Sequence, residues 1–526
     1  MTGTLPHPPL DLAPEEAAAR FDRLQQRLVP LWASIRSLTQ DEQTIVVVPS
    51  MSVEIALSGA EMQAYEERFL FLLLLLRQPR ARLVYVTSQA IAPNIIDYYL
   101  DLLPGVISSH ARQRLFLVAP LDGSPRPLSR KLLERPRLIE HIRSLIPDPR
   151  RAHLVPFITT WLERDLALRL GIPMYGADPK FLPLGSKSGC RRLFAEEGVL
   201  HPLGQEDLTS EVQLVAAIAE MRKRRPALSQ VIVKLNEGVS GEGNAVVDLA
   251  GLPADGTEGT TTEEGVASRV RAMRCEHPGL GCESFLAKLA IHGGVVEERI
   301  QGHEFRSPSV QLRVNPLGEI ELLSTHDQVL GGASGQSYLG CRFPADPEYA
   351  PAITREAAKV GARLAKEGVL GRFALDFVVV RSDDGGWEPY AIELNLRKGG
   401  TTHPFLTLQF LTDGTYDPET ATFTAPGGRR KFFMASDHVE SPLYRVFTPA
   451  DLFDIVARHG LHFDPTRQTG VVFHMMSAMG ECGRLGLIAV GDSPAEVDAI
   501  YARALAVLDE EARAALTYAD PDLKRD

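Results

Sequence analysis

Glu393 and Asn395 stand two residues apart in the apolar run AIELNLR. The two-residue repeat of a strand turns both side chains to one face, and Arg397 continues the row. Asp376 lies in a second apolar run, FALDFVVV, where a buried carboxylate without a partner would be costly. Three oxygen donors on a pair of strands suit a hard cation such as Mg²⁺, which keeps waters and shares its remaining positions with phosphate oxygens. The same carboxylates could instead pair with arginines such as Arg372 or Arg313.

Two lysines supply the context. Lys234 ends an apolar strand directly before the glycine-rich loop NEGVSGEGN (236–244), and Lys187 opens the helix KSGCRRLFAEE. Two cations and the unhindered backbone N–H groups around Gly238, Gly241 and Gly243 can embrace a polyphosphate. The segment VVEERIQGHE (295–304) adds an apolar strand with Glu297, Glu298 and Glu304 around a glycine turn. Backbone groups of such a strand can read an adenine, and a carboxylate just past it can hold a ribose diol. His403, just after GGTT, suits contact with a substrate and equally a cap for the following helix; His326 beside Asp327 is as ambiguous.

The elements that must position these residues fall into three stretches. Across 1–180, the short apolar runs TIVVVP, RLVYVT, RLFLVAP and HLVPFIT alternate with helical patterns, one of them at 61–77. That rhythm predicts an α/β domain with a parallel sheet. No G-x-G-x-x-G or P-loop is present there, so a nucleotide site must lie further on. Across 181–412, helices at 187–197 and 209–224 precede a strand, the 236–244 lid and a second strand. A Gly, Thr and acid-rich stretch at 251–264 reads as a surface loop or disordered insert. Antiparallel strands at 295–300, 305–314 and 320–325, a glycine-rich loop at 330–341, a helix at 349–367 and strands at 373–380 and 389–396 complete an α+β pattern. The stretch 425–515 reads as a small α+β tail domain, with strands at 470–476 and 485–490 joined by a glycine turn and a helix from Pro494.

Composition excludes several classes. A chain of 526 residues, 44% hydrophobic and 23% charged, is neither fibrous nor disordered, and its length fits about three domains. A net charge of −11 disfavours nonspecific nucleic-acid binding. The longest apolar stretch, Phe69 to Leu76, has 8 residues, too few to cross a membrane. Five cysteines without framework spacing and an N-terminus without a secretory pattern lead to the expectation of a cytoplasmic protein with free thiols. CEHPGLGC (275–282) matches no closed zinc site and reads as loop, while RKRR (222–225) reads as a solvated helix end.

The order Lys187, Lys234 with its glycine loop, VVEERIQGHE, Asp376, then Glu393-Leu394-Asn395 resembles the ATP-grasp superfamily over residues 181–412. The strings SVQLRVNP, STHDQVLGG, YLGCRFPA, ELNLRKGGTTHPF and VVFHMMSAMGECGRLGLIAVGDSP resemble, more narrowly, the pheganomycin-type peptide ligases. The resemblance implies a pre-ATP-grasp domain, a two-lobed ATP-grasp fold and a family-specific C-terminal domain. It also implies an ADP-forming ligase of natural product biosynthesis that joins a carboxylate to an amine or peptide through an acylphosphate, with ATP and Mg²⁺. By resemblance, Lys187 and Lys234 contact the α and β phosphates, with Gly238, Ser240, Gly241 and Gly243 closing over them. Glu298 sits at the adenine, Glu304 at the ribose, and Asp376, Glu393 and Asn395 at the metal. Arg313 and Arg397 face the γ-phosphate and activated carboxylate, and Lys398 and His403 the substrate. Several ATP-grasp ligases carry an arginine two residues before the metal aspartate; here that place is Ala374, and Arg372 or Arg313 is the candidate substitute. A ligase joining two free amino acids and a noncatalytic ATP-binding regulator are the alternatives. A homodimer is admitted, with no nucleic-acid or membrane partner.

Overall fold

The strand Gln43–Val48 is buried along its whole length. Its alternation serves two cores: Ile45 and Val47 pack into one, Val46 and Val48 into another. A strand apolar on both faces needs cover on both, and it receives it at the centre of a parallel sheet. Ala81–Val86 and Ala152–Pro156 flank it, and Leu115–Val118 forms the fourth strand. This computed structural model describes residues 12–36, 42–53, 57–236, 243–252, 262–277, 279–331, 337–382 and 385–519.

The single helix expected at 61–77 is two elements. Gly59–Glu67 is α-helical, started by a capping box between Ser58 and Glu61, and Arg68–Arg77 continues as a 3₁₀ helix. The second element is apolar on every side rather than along one stripe, and all of Phe69–Leu74 is buried. At the junction, Glu66, Glu67 and Arg68 are buried in succession. Glu66 accepts from the Ser88 N–H and hydroxyl at 2.6 and 2.7 Å, while burial pushes its carboxyl up to about 7. Glu67 accepts from the Met476 and Ser477 N–H groups at 2.7 and 2.9 Å. Arg68 reaches Asp437. One helix end thereby ties the parallel sheet to the C-terminal segment.

Two large antiparallel sheets follow, besides the two-stranded ribbon of Thr415–Asp417 and Thr422–Thr424. The smaller has the order Gly204–Leu208, Gly294–Glu298, Gln230–Leu235, Asn244–Asp248, Arg274–Cys275. The helices Glu211–Arg224 and Cys282–His292 contribute Leu214, Ile218, Phe285 and Leu289 to its core. The larger has nine strands, with Gly371–Arg381 between Pro308–Val314 and Trp387–Asn395. Of the glycine-rich loop expected at 330–341, the flanks are strand: Ile320–Gly331 takes its first two residues, and Ser337–Phe343, paired beside it, its last five; residues 332–336 lie outside the described residues. Gly340 is there for close approach, since a Cβ on it would meet the Ala435 carbonyl oxygen at 2.1 Å.

That contact joins two regions that the sequence separates. Ser337–Phe343 pairs with Phe432–Glu440, which pairs in turn with Arg484–Gly491, itself paired with Gly470–His474. The C-terminal segment is α+β as expected, but it builds no sheet of its own. It extends the large one, and its apolar side chains share one core with Phe69–Leu74. The turn expected before Arg484 contains the short helix Met479–Cys482, closed by Gly483 at φ 69°. Among the described residues no helix is long and apolar enough to cross a membrane.

Candidate active site

A cavity of about 630 Å³ opens between the two antiparallel sheets and reaches the N-terminal domain and the C-terminal strands. The strand pair Gly371–Arg381 and Trp387–Asn395 forms one wall, in a register that sets Asp376 opposite Glu393 and Ala374 opposite Asn395. Asp376, Glu393, Asn395 and Arg397 all line the cavity. Asp376 accepts from the Gln328 amide at 2.8 Å and the Asn395 amide at 2.9 Å. Burial, and then the neighbouring Glu393 charge, push its carboxyl up to about 6. A cation would relieve that repulsion, and the donor set is all oxygen, so these residues fit Mg²⁺.

The opposite wall carries the lysines. Ser186 caps the helix Lys187–Glu196 by accepting from the Gly189 N–H, which sets Lys187 at the first turn. The Lys187 ammonium crosses to Glu393 at 2.6 Å. Burial opposes the charge on Lys187, but the Glu393 carboxylate holds its pKa above the usual lysine value. Lys234 pairs at 2.5 Å with Glu297, which Arg191 also holds at 2.9 Å. Glu297 is buried and faces the cavity. It was legible as an acid of VVEERIQGHE, but period-two alternation alone did not decide whether it or Glu298 faced the lysine. Ile232, Ile300, Phe377 and Ile392 line an apolar end beside Glu298, whose carboxylate accepts from the Leu203 N–H at 2.8 Å and pairs with Arg225.

Four expected site residues sit elsewhere. Arg313 does not line the cavity: it pairs with Glu321 and stacks over Trp32 at 4.8 Å. Its register partner is Arg372, four residues before Asp376, which places both arginines about 13 Å along the strand from Asp376, and neither lines the cavity. Neither therefore replaces the arginine missing at Ala374. Lys398 donates to the Pro156 carbonyl at 2.6 Å, and burial followed by Arg372 pushes its pKa down to about 7; it ties strand to sheet rather than facing substrate. Glu304 pairs with Arg306 and Arg381 outside the cavity wall. His403 lies behind the wall, 3.1 Å from His474 and 3.4 Å from Asp437, and does not cap its helix through its side chain. Gly243 lines the cavity, whereas Gly238, Ser240 and Gly241 lie outside the described residues. Cys275, His277 and Cys282 form no metal-ligating group among the described residues.

Residues missed by local reading are Gln328, which holds Asp376, and a far wall made of Tyr65, Arg68, Phe157, Tyr338, Asp437 and His438. No spacing links these positions. Gly400 admits one of them: a Cβ there would meet the Tyr338 ring at 2.5 Å.

Comparison with known proteins decides the family. Residues 183–269 and 280–419 match the family described as IQCH-like, ATP-grasp, and residues 451–504 match the PGM1 C-terminal domain. The chain is 31% identical over 451 residues to an L-propargylglycine--L-glutamate ligase of Streptantibioticus cattleyicolor, covering 84% of this chain and 88% of that protein. The chain belongs to the pheganomycin-type ligases of the ATP-grasp superfamily. Another relative of this ATP-grasp chain is IQ motif-containing protein H of Danio rerio, 23% identical over 94% of this chain; the chain spans about half (51%) of that protein's length. Among solved structures, the ATP-grasp fold is matched by a biotin carboxylase of Campylobacter jejuni in its β,γ-ATP complex. The TM-score is 0.52 at 13% identity, covering 88% of this chain and 90% of that one. An ADP complex of N5-carboxyaminoimidazole ribonucleotide synthetase matches with TM-score 0.50 at 11% identity, covering 89% of this chain and 97% of that one.

Proposed function

We propose that this ligase joins the carboxylate of an amino-acid-like donor to the amine of an amino acid or peptide, consuming ATP. The observation that carries the reading is one cavity whose facing walls hold Lys187 and Lys234, and Asp376, Glu393 and Asn395. A carboxylate is a poor acyl donor because oxide would have to leave. Transfer of the γ-phosphoryl group to a carboxylate oxygen forms an acylphosphate and ADP; an amine then attacks the carbonyl carbon, the amide forms, and phosphate departs. Lys187 and Lys234 neutralise the phosphates, and Glu298 with the apolar end holds the base. Asp376, Glu393 and Asn395 would hold Mg²⁺, which supplies charge neutralisation to the transferring group. Arg397, the arginine that continues the triad's row into the cavity, is placed for the acylphosphate and for the oxyanion formed on amine attack.

Incubation with Mg-ATP and pairs of amino acids, L-glutamate and L-propargylglycine among them, is expected to yield ADP and phosphate in step with amide. AMP and pyrophosphate instead would contradict the acylphosphate route.

A further inference from the structure

The cavity extends beyond the triad to a wall drawn from both ends of the chain. Arg68 of the N-terminal domain and Asp437 of the C-terminal strand lie side by side in it, 2.5 Å apart, each side chain 4% exposed. Both fall outside the three segments matched by the family models. The pair is held from several sides. The Arg68 guanidinium lies over the Tyr65 and Phe157 rings at 4.7 and 5.2 Å. The second carboxylate oxygen of Asp437 accepts from the His474 Nε2–H at 2.8 Å, and its backbone carbonyl accepts from Arg484 at 2.8 Å. His403 stands behind it. Burial disfavours charge on both imidazoles, so Asp437 keeps its negative charge against Arg68 rather than sharing a proton with them.

Taking two charges out of water for mutual pairing alone contributes little to stability, and an apolar pair would serve a core as well. On a cavity wall the same arrangement presents a fixed positive and a fixed negative group next to one another. An α-amino acid head group carries the complementary pair, carboxylate and ammonium, on one carbon. A peptide separates its terminal charges by at least one further residue, about 3.3–3.6 Å of chain. Tyr338 and His438 also line the cavity, as does Arg397, whose electrostatic neighbours include Glu393, Asp376 and Arg68.

We propose that Arg68 and Asp437 form the recognition site for the zwitterionic head of a free α-amino acid, one of the two molecules this ligase joins. This rests on the ligase reading above. The histidines behind Asp437 act as positioning residues, and the substrate at this site is a single amino acid rather than a peptide.

Equilibrium binding separates this inference from catalysis. The protein, saturated with Mg-ADP, is titrated calorimetrically with the twenty common L-amino acids and L-propargylglycine. At least one is expected to bind, and its N-acetyl and carboxamide derivatives to bind at least tenfold more weakly. Arg68→Gln and Asp437→Asn should each weaken that amino acid at least tenfold while Mg-ADP affinity, which reports a folded cleft, stays unchanged, although breaking the buried pair lowers the melting temperature; Arg68→Lys should recover part of the loss and guards against a folding defect. Absence of any amino-acid binding, equal binding of the blocked derivatives, or unchanged affinity in Arg68→Gln and Asp437→Asn would overturn the assignment. So would a Zn²⁺ requirement for binding, because His403, Asp437 and His474 would then be metal ligands. Failure of Mg-ADP itself to bind would instead overturn the ligase reading.

Discussion

Lys187 and Glu393 face each other at 2.6 Å, and Lys234 and Glu297 at 2.5 Å, so in the free protein each lysine proposed to bind phosphate is matched by a carboxylate. Matching lowers the cost of holding charge in a cleft before ligand arrives. Under the proposed function, nucleotide would compete for the lysines, and the released Glu393 would become available as an oxygen donor. Lys234→Ala and Glu393→Ala are each expected to cut kcat/KM by about 10²-fold or more, the scale on which a single charge-stabilising group acts. Steady-state ADP release checks this, and rates within threefold of wild type would remove these roles. The row Glu393, Asn395, Arg397 was legible because period-two alternation is set within the strand. Its alignment with Asp376 was also close to hand, since the two strands form a hairpin only 19 positions apart at Asp376 and Asn395. Arg313 misled because its side chain type suited an anion while its strand register carried it past the cleft.

At the scale of elements, Ser337–Phe343 decides how the molecule is joined. It pairs with Ile320–Gly331 on one side and Phe432–Glu440 on the other, with Gly340 facing Ser436 across the junction. Gly340→Ala would set a methyl against the Ala435 backbone, which cannot swing aside as a flexible side chain would. A loss of about 1–3 kcal/mol is expected, as for other overpacked sites. Urea unfolding measures it; an unchanged midpoint would show that the two strands separate without penalty. The glycine-rich composition of 330–341 read as loop because glycine weakens a strand locally. The neighbouring backbone that requires glycine comes from about a hundred residues away and leaves no mark in the local pattern.

For the whole molecule, the large shared core joins residues from Ile45 to Ala512 and buries histidines that no local pattern marks as buried. Burial pushes His326 down to about 3, among the Phe343, Phe405 and Phe433 rings; burial and then Lys398 push His153 down to about 4. The unfolded chain titrates these near 6.5, so between 6.5 and the folded values it binds more protons than the native state. Stability from these groups is present above that window and is lost as pH falls through it. Glu66 acts in the opposite sense between its ordinary value and about 7, because its folded carboxyl holds a proton longer. Replacing His326 isolates one contribution: in His326→Gln, the loss of unfolding free energy between pH 6.5 and 4.5 should be smaller than in wild type by about 2–3 kcal/mol. Denaturant titrations at the two pH values test it, and parallel losses would show that His326 is protonated in the native state.

Sequence by itself determined the chemistry on offer: the acid and amide row, the two lysines before their helix and loop, and the α/β then α+β order of elements. These depend on residue type and on the repeats of strand and helix, which act over a few positions. Tertiary structure decided which of the charged residues share a space. Arg68 and Asp437 meet across 369 positions, while Arg372, only four from Asp376, is carried out of the cleft. The reason is physical: a strand fixes direction and face at short range, but contact between sheets is chosen by the packing of whole surfaces, and that choice belongs to no single stretch of chain.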